Sequence, residues 1–274
     1  IDLAGDYLSG SFRADLVLAS DMLDLASFLA LTREVTGNTP CALYLHENQL
    51  TYPWSAGDPD PSLGRDLHYG FINISSALAA HRAFFNSRYH MESFITAAGA
   101  FLGRMPDGDR AGVAARIAEK SSVLHLGLDL SRFDRYEKPA VRERPLILWN
   151  HRWEYDKGPG EFFEMLYILA GEGLKFEVAL LGESFSGIPA VFEEARERLG
   201  DRLVHQGFVD SEAEYAFWLK SADILPVTSK HDFFGASVVE AIYCGCCPGL
   251  PDRLAYPEHL PGGVFERVMD PDGR

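Results

Sequence analysis

Short apolar runs alternate with segments of helical periodicity along most of the chain, and this alternation limits the possible folds more than any other feature. DLVLASD (15–21), CALYLHE (41–47) and PLILWNH (145–151) are examples of such runs. Each run has the length of a strand, and the segments between the runs carry apolar residues at the spacing of one helix face. Strands that alternate with helices predict an α/β fold built on parallel sheets.

The alternation occurs twice, and a charged segment separates the two rounds. Predicted strands lie at 15–21, 41–47, 81–87 and 121–127 in the first round, and at 145–151, 175–183, 202–209 and 222–228 in the second. Predicted helices lie at 23–31, 65–80, 91–103, 161–173, 189–200, 211–222 and 236–245. The charged segment 129–144 is typical of an interdomain linker. We predict two Rossmann-like, doubly wound domains facing a cleft, at 1–136 and 137–274.

The first predicted domain is short for its type. A doubly wound domain of ordinary size has a central strand and its loop ahead of the position of the first predicted strand, and only residues 1–14 precede that strand. No closing helix follows YPEHLPGG (256–263). We therefore expect an incomplete N-terminal domain, with some C-terminal sequence also missing.

Composition and charge exclude several classes of protein. The net charge of -15 argues against a broad basic surface for nucleic acid and leaves a local basic patch open. No apolar run reaches the roughly 18 residues of a membrane span, and no signal peptide pattern opens the chain, so we expect a cytoplasmic protein. The four cysteines lack the paired spacing of a zinc site, and we expect buried thiols and no metal.

Residues 229–249, SKHDFFGASVVEAIYCGCCPG, contain the strongest site signal. They follow an apolar strand and place Gly235 in a turn before a predicted helix, whose first N–H groups are suited to a phosphate. Asp232 and Glu240 lie eight positions apart around that turn. Two carboxylates beside a diphosphate suit a nucleotide sugar, because its ribose and its hexose both donate hydroxyl hydrogen bonds.

Other polar side chains follow the predicted strands at the edge where parallel sheets bind ligands. Arg152 and Lys157 follow the strand at 145–151. Taken alone they are better explained as a solvated surface pair, whereas together with Asp232 and Glu240 they favour a binding site. His46 follows the strand at 41–47 and has an alternative explanation as a core histidine. Weaker acceptor-side candidates are Glu47, Asn48, Gln49, Asn86 and Ser87, with His68, Tyr69 and Asn73 held more loosely still.

These motifs together resemble a known family. Three motifs resemble those of the retaining GT-B glycosyltransferases of the GT4 group. They are WNHRWEYDKGP with its Arg-x4-Lys pair, HDFFGASVVE with acids eight positions apart, and LHLGLDLSRF. Four further motifs are more specific and are similar to those of the tRNA-queuosine alpha-mannosyltransferase family: HENQLTYP, FNSRYHMESF, LGESF and KHDFFG…EAIYCGCCP. The resemblance covers nearly the whole chain.

The resemblance implies a role for each matching residue. Arg152 and Lys157 would neutralise the diphosphate leaving group, Glu240 would accept from the ribose, and Asp232 from the donor sugar. His46 would touch the sugar at the reaction centre. The residues whose backbone would meet the distal phosphate or line the nucleotide pocket are Phe234, Gly235, Ala236, Gly182, Gly207, Phe208 and Val209. Asp232 stands where most of the group has Glu, so its carboxylate is one methylene shorter and the sugar preference is open.

The resemblance also implies the reaction. It is that of a retaining, metal-independent hexosyltransferase without a cofactor, with GDP-mannose as co-substrate and queuosine in tRNA as acceptor. A glycosyltransferase with a small-molecule, lipid or glycan acceptor remains an alternative, as does a non-catalytic nucleotide-sugar-binding protein. The sequence does not set the donor base, the sugar epimer or the oligomeric state.

Overall fold

The computed structural model describes residues 2–53, 62, 67–105, 110–183 and 188–260. The chain divides into two compact units, unit 1 up to Leu126 and unit 2 from Gly127 onward. No helix among the described residues is long and apolar enough to cross a membrane. The start of the helix predicted at 65–80 and part of the motif LGESF lie outside the described residues.

Unit 1 is a four-stranded parallel sheet with helices between its strands. Its elements are α1 (Asp2–Ser9), β1 (Val17–Ser20), α2 (Leu25–Leu31), α3 (Arg33–Thr36), β2 (Cys41–Leu45), α4 (His68–Ala79), β3 (Arg82–Phe85), α5 (Arg88–Leu102), α6 (Arg110–Glu119) and β4 (Ser121–Val123). The strand order is β1-β2-β3-β4. Leu43 and Leu45 of β2 and Phe85 of β3 are fully buried and form its core with Phe94 of α5.

Unit 2 is a five-stranded parallel sheet in the order β7-β6-β5-β8-β9. Its main elements are β5 (Leu146–Asn150), α7 (Pro159–Gly171), β6 (Glu177–Leu181), α8 (Ala190–Leu199), β7 (Leu203–Gly207), α9 (Glu212–Ser221), β8 (Ile224–Pro226), α10 (Ala236–Tyr243) and β9 (Cys247–Gly249). Short 3-10 helices lie at Leu130–Phe133, Tyr155–Lys157, Gly200–Arg202 and Tyr256–His259. The order reverses between β5 and β8, and such a reversal creates a ligand-binding crevice at the carboxyl ends of the strands.

The central strand β5 has apolar side chains on both faces of the unit 2 sheet, and both faces must therefore be covered. All five of its residues are buried. Leu146 and Leu148 belong to one apolar cluster, whereas Ile147 and Trp149 belong to another. Alternate residues of a strand point to opposite faces, so each face of the sheet is covered by its own core. The predicted α/β fold with parallel sheets is confirmed.

Four elements were not predicted: helices α1, α3 and α6 and strand β9. Helices α1 and α6 each carry a glycine, and they bury Ala4 and Ile117 respectively. Strand β9 contains Pro248, which is tolerated because β9 is an edge strand. Helix α3 and strand β9 are four and three residues long, too short for a periodicity to be detected.

The division of the chain also differs from the predicted one at 136/137. Phe133 is fully buried in the core of unit 2, and the 3-10 helix at Leu130–Phe133 is part of that unit. The first residues of the predicted linker at 129–144 are therefore packed structure. The cysteines are all free, as expected, but Cys247 is exposed rather than buried.

Candidate functional site

A cavity of about 600 Å³ lies at the carboxyl ends of the unit 2 strands. It is lined by predicted site residues: Arg152, Lys157, Gly182, Phe208, Val209, Asp232, Gly235 and Ala236. Its volume is in the range of pockets that hold nucleotides and other cofactors. Gly207 instead lines a neighbouring cavity that shares Gly182 and Phe208 with the first. Glu240 and Phe234 are not among the residues that line the main cavity.

Lys157 is the centre of a charged cluster in the cavity wall. Its Nζ donates to the carbonyl oxygen of His231 at 2.8 Å and lies 3.2 Å from Oδ2 of Asp156 and 3.5 Å from Oδ2 of Asp232. The side chains of Lys157, Asp156 and Asp232 are 12%, 4% and 15% exposed. The ammonium therefore offsets two nearly buried carboxylates.

Asp232 is held in its charged form. Burial acts to raise the pKa of this carboxyl, but Lys157 and the hydrogen bonds from the Phe234 N–H and the Tyr256 hydroxyl outweigh burial, and the pKa lies below the ordinary value. Phe234 donates to Oδ1 at 3.2 Å and Tyr256 to Oδ2 at 3.2 Å. Each carboxylate oxygen has two lone pairs, so Asp232 keeps capacity for a sugar hydroxyl.

His151 contributes a neutral ring to the same cluster. Burial is the main cause and the nearby Lys157 the second, and together they lower the pKa of His151 to about 4. Its Nε2 is buried and has no hydrogen-bond partner among the described residues. His151 directly follows β5 and lines the cavity.

Arg152 differs from Lys157 because its guanidinium is uncommitted. It lines the cavity and is exposed, and it makes no hydrogen bond or ion pair to any described part of the chain. A guanidinium presents five N–H donors in a planar fork, which matches phosphate oxygens. The structure thus leaves Arg152 available to an anionic ligand.

The turn into α10 has the geometry predicted for it, with one exception. Gly235 is the residue before the helix and has φ 77°, a left-handed conformation that favours glycine. Gly235 and Ala236 line the cavity, where the first turn of a helix has unpaired N–H groups. The exception is Phe234, whose N–H already donates to Asp232.

Two residues that were not predicted hold Glu240, and a third, Asn150, holds one of them. Its Oε1 accepts from Nη2 of Arg132 at 2.6 Å, and its Oε2 accepts from the hydroxyl of Tyr215 at 2.7 Å. Nδ2 of Asn150 donates to the Tyr215 hydroxyl at 3.0 Å. Arg132, Tyr215 and Asn150 all line the cavity. Asn150 was detectable from the sequence, since it ends the central strand, whereas Arg132 lay in the presumed linker.

The Tyr215 hydroxyl stays protonated in this network. Burial raises its pKa, and the Glu240 carboxylate raises it further. The hydroxyl is therefore a permanent donor to Glu240, which together with Arg132 fixes the direction of the carboxylate.

The acceptor-side candidates lie in unit 1, after the carboxyl ends of β2 and β3, and Asp21 follows the neighbouring strand β1. Oδ2 of Asp21 accepts from the N–H of His46 at 3.1 Å and of Glu47 at 2.8 Å, and Asp21 Oδ1 lies 2.5 Å from Nδ1 of His46. Nδ2 of Asn86 donates to the carbonyl oxygen of His46 at 3.1 Å. Gln49 donates to Glu47 at 3.1 Å. Asp21 was not predicted, although it ends the first predicted strand.

Two acceptor-side candidates have structural contacts instead. Asn48 is fully buried, where Oδ1 accepts from the N–H of Leu50 and Nδ2 donates to Ser93. Ser87 caps α5, because its hydroxyl accepts from the N–H of His90. These hydrogen bonds explain both residues without a ligand.

No group of three or more His, Cys, Asp or Glu side chains that could hold a metal ion occurs within the described ranges. The positive groups that line the main cavity are Arg132, Arg152 and Lys157.

Comparisons with known proteins agree on one family and one fold. Residues 3–128 match the family model described as tRNA-queuosine alpha-mannosyltransferase N-terminal. The chain is 35% identical over 255 residues to the tRNA-queuosine alpha-mannosyltransferase of Drosophila melanogaster, an alignment that covers 90% of this chain and 66% of that protein.

Two solved structures illustrate the fold that this chain shares with known proteins. Anabaena Alr3699/HepE in complex with UDP gives a TM-score of 0.66 at 17% identity, covering 96% of this chain and 66% of that one. The UDP-forming trehalose-phosphate synthase from Burkholderia xenovorans gives a TM-score of 0.63 at 15% identity, covering 96% and 64%. The predicted GT-B fold is confirmed, and the chain spans about two thirds of the length of these relatives.

Proposed function

This chain belongs to the tRNA-queuosine alpha-mannosyltransferase family, and on that basis we propose that it transfers a mannosyl group from GDP-mannose to queuosine in tRNA. Such an acceptor also implies a cytoplasmic location. The main support in the structure is the unit 2 cavity, where Arg152, Lys157 and the first turn of α10 line one wall. Cationic side chains beside helix N–H groups suit a diphosphate.

The transfer breaks the bond between the anomeric carbon of mannose and the oxygen of the terminal phosphate. The diphosphate leaves with the electron pair of that bond. A hydroxyl oxygen of the acceptor forms the new bond to the anomeric carbon on the face that the leaving group vacates, which retains the configuration. The acceptor proton passes to the departing phosphate oxygen, so the products are a mannoside and GDP.

The charges of the cavity have separate tasks in this reaction. Arg152 and Lys157 stabilise the charge that develops on the leaving diphosphate, which is the largest electrostatic demand of the step. Asp232, kept ionised by its surroundings, accepts from a hydroxyl of the transferred sugar. Glu240 accepts from the ribose through the lone pairs that Arg132 and Tyr215 leave available. These residues supply the neutralisation that a divalent cation supplies elsewhere, so we propose that no metal cofactor is needed.

Calorimetry and mass spectrometry test the proposal together. The chain is titrated with GDP-mannose, GDP and UDP-glucose, and queuosine-containing tRNA is then incubated with the chain and each donor. We expect binding of GDP-mannose and a gain of one hexose on the queuosine nucleoside. Absence of nucleotide binding would overturn the proposal, and transfer to a glycan or lipid but not to tRNA would overturn its acceptor half.

A pair of arginine variants locates the donor. Arg152→Ala removes charge-assisted hydrogen bonds worth about 1.5–3 kcal/mol, which corresponds to about a tenfold to hundredfold loss of GDP affinity. Arg198→Ala is the matched control, because Arg198 is on the surface of α8, where it is half exposed and paired with Glu194. Equal affinities for the two variants would place the diphosphate elsewhere.

A further inference from the structure

A buried carboxylate holds an exposed imidazole at the carboxyl edge of the unit 1 sheet. The side chain of Asp21 is 1% exposed, whereas that of His46 is 42% exposed. Asp21 follows β1 and His46 follows the neighbouring strand β2, so adjacent parallel strands bring the two together. Asp21 contacts Nδ1 of His46. Nε2, the other ring nitrogen, makes no hydrogen bond to the described residues and is available to a ligand.

The two oxygens of Asp21 have different partners. Oδ2 accepts from two backbone N–H groups, those of His46 and Glu47, at 3.1 and 2.8 Å. Oδ1 lies 2.5 Å from Nδ1 of His46. A carboxylate accepts hydrogen bonds and does not donate them, so Nδ1 carries the proton and a neutral His46 presents Nε2 as an acceptor.

We propose that Asp21 is a positioning residue that holds the His46 imidazole in its Nδ1–H form, so that Nε2 accepts a hydrogen bond from a sugar hydroxyl. The inference rests on the proposed function for the identity of the sugar, since both the donor mannose and the acceptor diol carry hydroxyls. It adds Asp21, which lies outside the sequence motifs named above, and it specifies that His46 accepts the hydrogen bond from the sugar hydroxyl.

The surroundings of the ring are consistent with this role. The hydrogen bond to Asp21 raises the pKa of His46, burial opposes it in part, and the charges of Asp21 and Glu47 add to the rise. Asp21 and Glu47 are the charged groups that act on the ring within the described residues. The elements packed around it contribute neutral amides: Asn86 holds the His46 carbonyl, and Nδ2 of Asn73 donates to the Asp21 carbonyl at 2.8 Å.

The isosteric variant Asp21→Asn makes a specific prediction. The two backbone N–H groups need an oxygen at the Oδ2 position, so the amide nitrogen of Asn occupies the Oδ1 position and donates to Nδ1. His46 must then carry its proton on Nε2, and the nitrogen that accepted becomes a donor. The fold keeps its two backbone hydrogen bonds, whereas the tautomer of one histidine reverses.

Nitrogen-15 NMR of the imidazoles measures that tautomer directly. We expect an Nδ1–H ring for His46 in the wild-type chain and an Nε2–H ring in Asp21→Asn, assigned by comparison with His46→Gln. Transfer by Asp21→Asn should fall about tenfold, the effect of losing one hydrogen bond of about 1–1.5 kcal/mol. Asp24→Asn is the control, because Asn also caps helices and Asp24 caps α2 without touching His46.

Activity against pH gives a second readout. Transfer should fall as the pH drops through the pKa of His46, because the protonated ring has no acceptor nitrogen, and this acid limb should lie above the ordinary histidine value of about 6.5. In His46→Gln the amide oxygen still accepts but does not titrate, so part of the activity should remain without that limb. An unchanged tautomer in Asp21→Asn, or a reversed tautomer with unchanged transfer, would overturn the inference.

Binding measurements separate the two sources of the hydroxyl. If it belongs to the donor, Asp21→Asn weakens binding of GDP-mannose and leaves binding of GDP unchanged. If it belongs to the acceptor, donor affinity is unchanged and the KM for tRNA rises. A wild-type chain that binds no donor and transfers nothing refutes the proposed function and the hydroxyl contact with it, whereas full transfer by Asp21→Asn refutes the inference alone.

Discussion

Replacing Lys157 with methionine tests whether the cavity wall is held together by its charge. Methionine keeps most of the length of the side chain and removes the ammonium. Asp156 and Asp232, whose side chains are 4% and 15% exposed, then lose their shared cation, and the His231 carbonyl loses a donor. Because all three charges are nearly buried, the loss is that of a broken interior ion pair, about 3–5 kcal/mol of the free energy of unfolding.

The loss should depend on pH with a definite sign. In the wild type the folded pKa of Asp232 is depressed, so its contribution to stability is present above the unfolded pKa of about 3.9 and is lost as the pH falls. Without Lys157, the burial of Asp232 is no longer outweighed and its folded pKa rises. The variant therefore becomes less stable as the pH rises above about 4, and the difference from the wild type is greater at pH 7 than at pH 4.

Urea unfolding followed by tryptophan fluorescence measures this difference at the two pH values. Three of the four tryptophans, Trp149, Trp153 and Trp218, lie in unit 2, so the signal is dominated by that unit. Lys230→Met is the matched control. Lys230 pairs with Glu161 at 2.5 Å, but both side chains are over half exposed, so its loss should cost about 0–1 kcal/mol.

A second change distinguishes charge from shape. Adding Asp232→Asn to Lys157→Met removes one of the two stranded carboxylates and should restore part of the stability at pH 7. It should not restore donor binding, because the ammonium that we propose for the diphosphate is still absent. Equal losses at pH 4 and pH 7, or a Lys157→Met variant as stable as Lys230→Met, would refute the reasoning.

Two further changes test the backbone and the polar network of the same site by urea unfolding. Gly182 and Gly207 have φ of 98° and 140°, so replacing either with alanine should lower the free energy of unfolding by about 1–2 kcal/mol through backbone strain. A Cβ at Gly182 would also lie 2.4 Å from the His151 carbonyl oxygen, so Gly182→Ala should cost about 1–3 kcal/mol more than Gly207→Ala. Equal losses for the two alanines would contradict this contact. Tyr215→Phe removes the donor to Glu240 and the acceptor for Asn150 and should cost about 1–3 kcal/mol, and an unchanged midpoint would show that water replaces the hydroxyl.

The strands that position the site were predictable because their signal is local. Strand β5 is a continuous apolar run that ends in Asn150, and the buried residues on both of its faces are the reason for that run. The position of the cavity was predictable because parallel sheets bind ligands at the carboxyl ends of their strands, and the polar residues after β5 and β8 lie at that edge of one sheet. Arg152, Lys157, Asp232 and Gly235 line the cavity for this reason.

The hydrogen-bond pairs of the site could not be predicted, because their two members are far apart in the sequence. Arg132 and Glu240 are 108 positions apart, and Tyr215 and Asn150 are 65 apart. No periodicity links such residues, and their pairing depends on strand order and on the packing of α9 and α10. Asp21 was missed for a related reason: a single carboxylate after a strand is common, and its significance comes only from the neighbouring strand that carries His46.

Asp232 and Glu240, the two acids that lie eight positions apart, have different surroundings, and this difference bears on which of them would select the sugar. Asp232 receives a backbone N–H, a tyrosine hydroxyl and an ammonium, which hold it against the wall and keep it ionised. A glutamate there would extend about 1.5 Å further into the cavity, by one C–C bond. The shorter residue therefore leaves room on the sugar side and meets its hydroxyl from a fixed direction. Glu240 is instead held by Arg132 and Tyr215, and it is not among the residues that line the cavity. If the proposed function holds, we therefore expect Asp232→Glu to change the preference among donor sugars more than Glu240→Asp does.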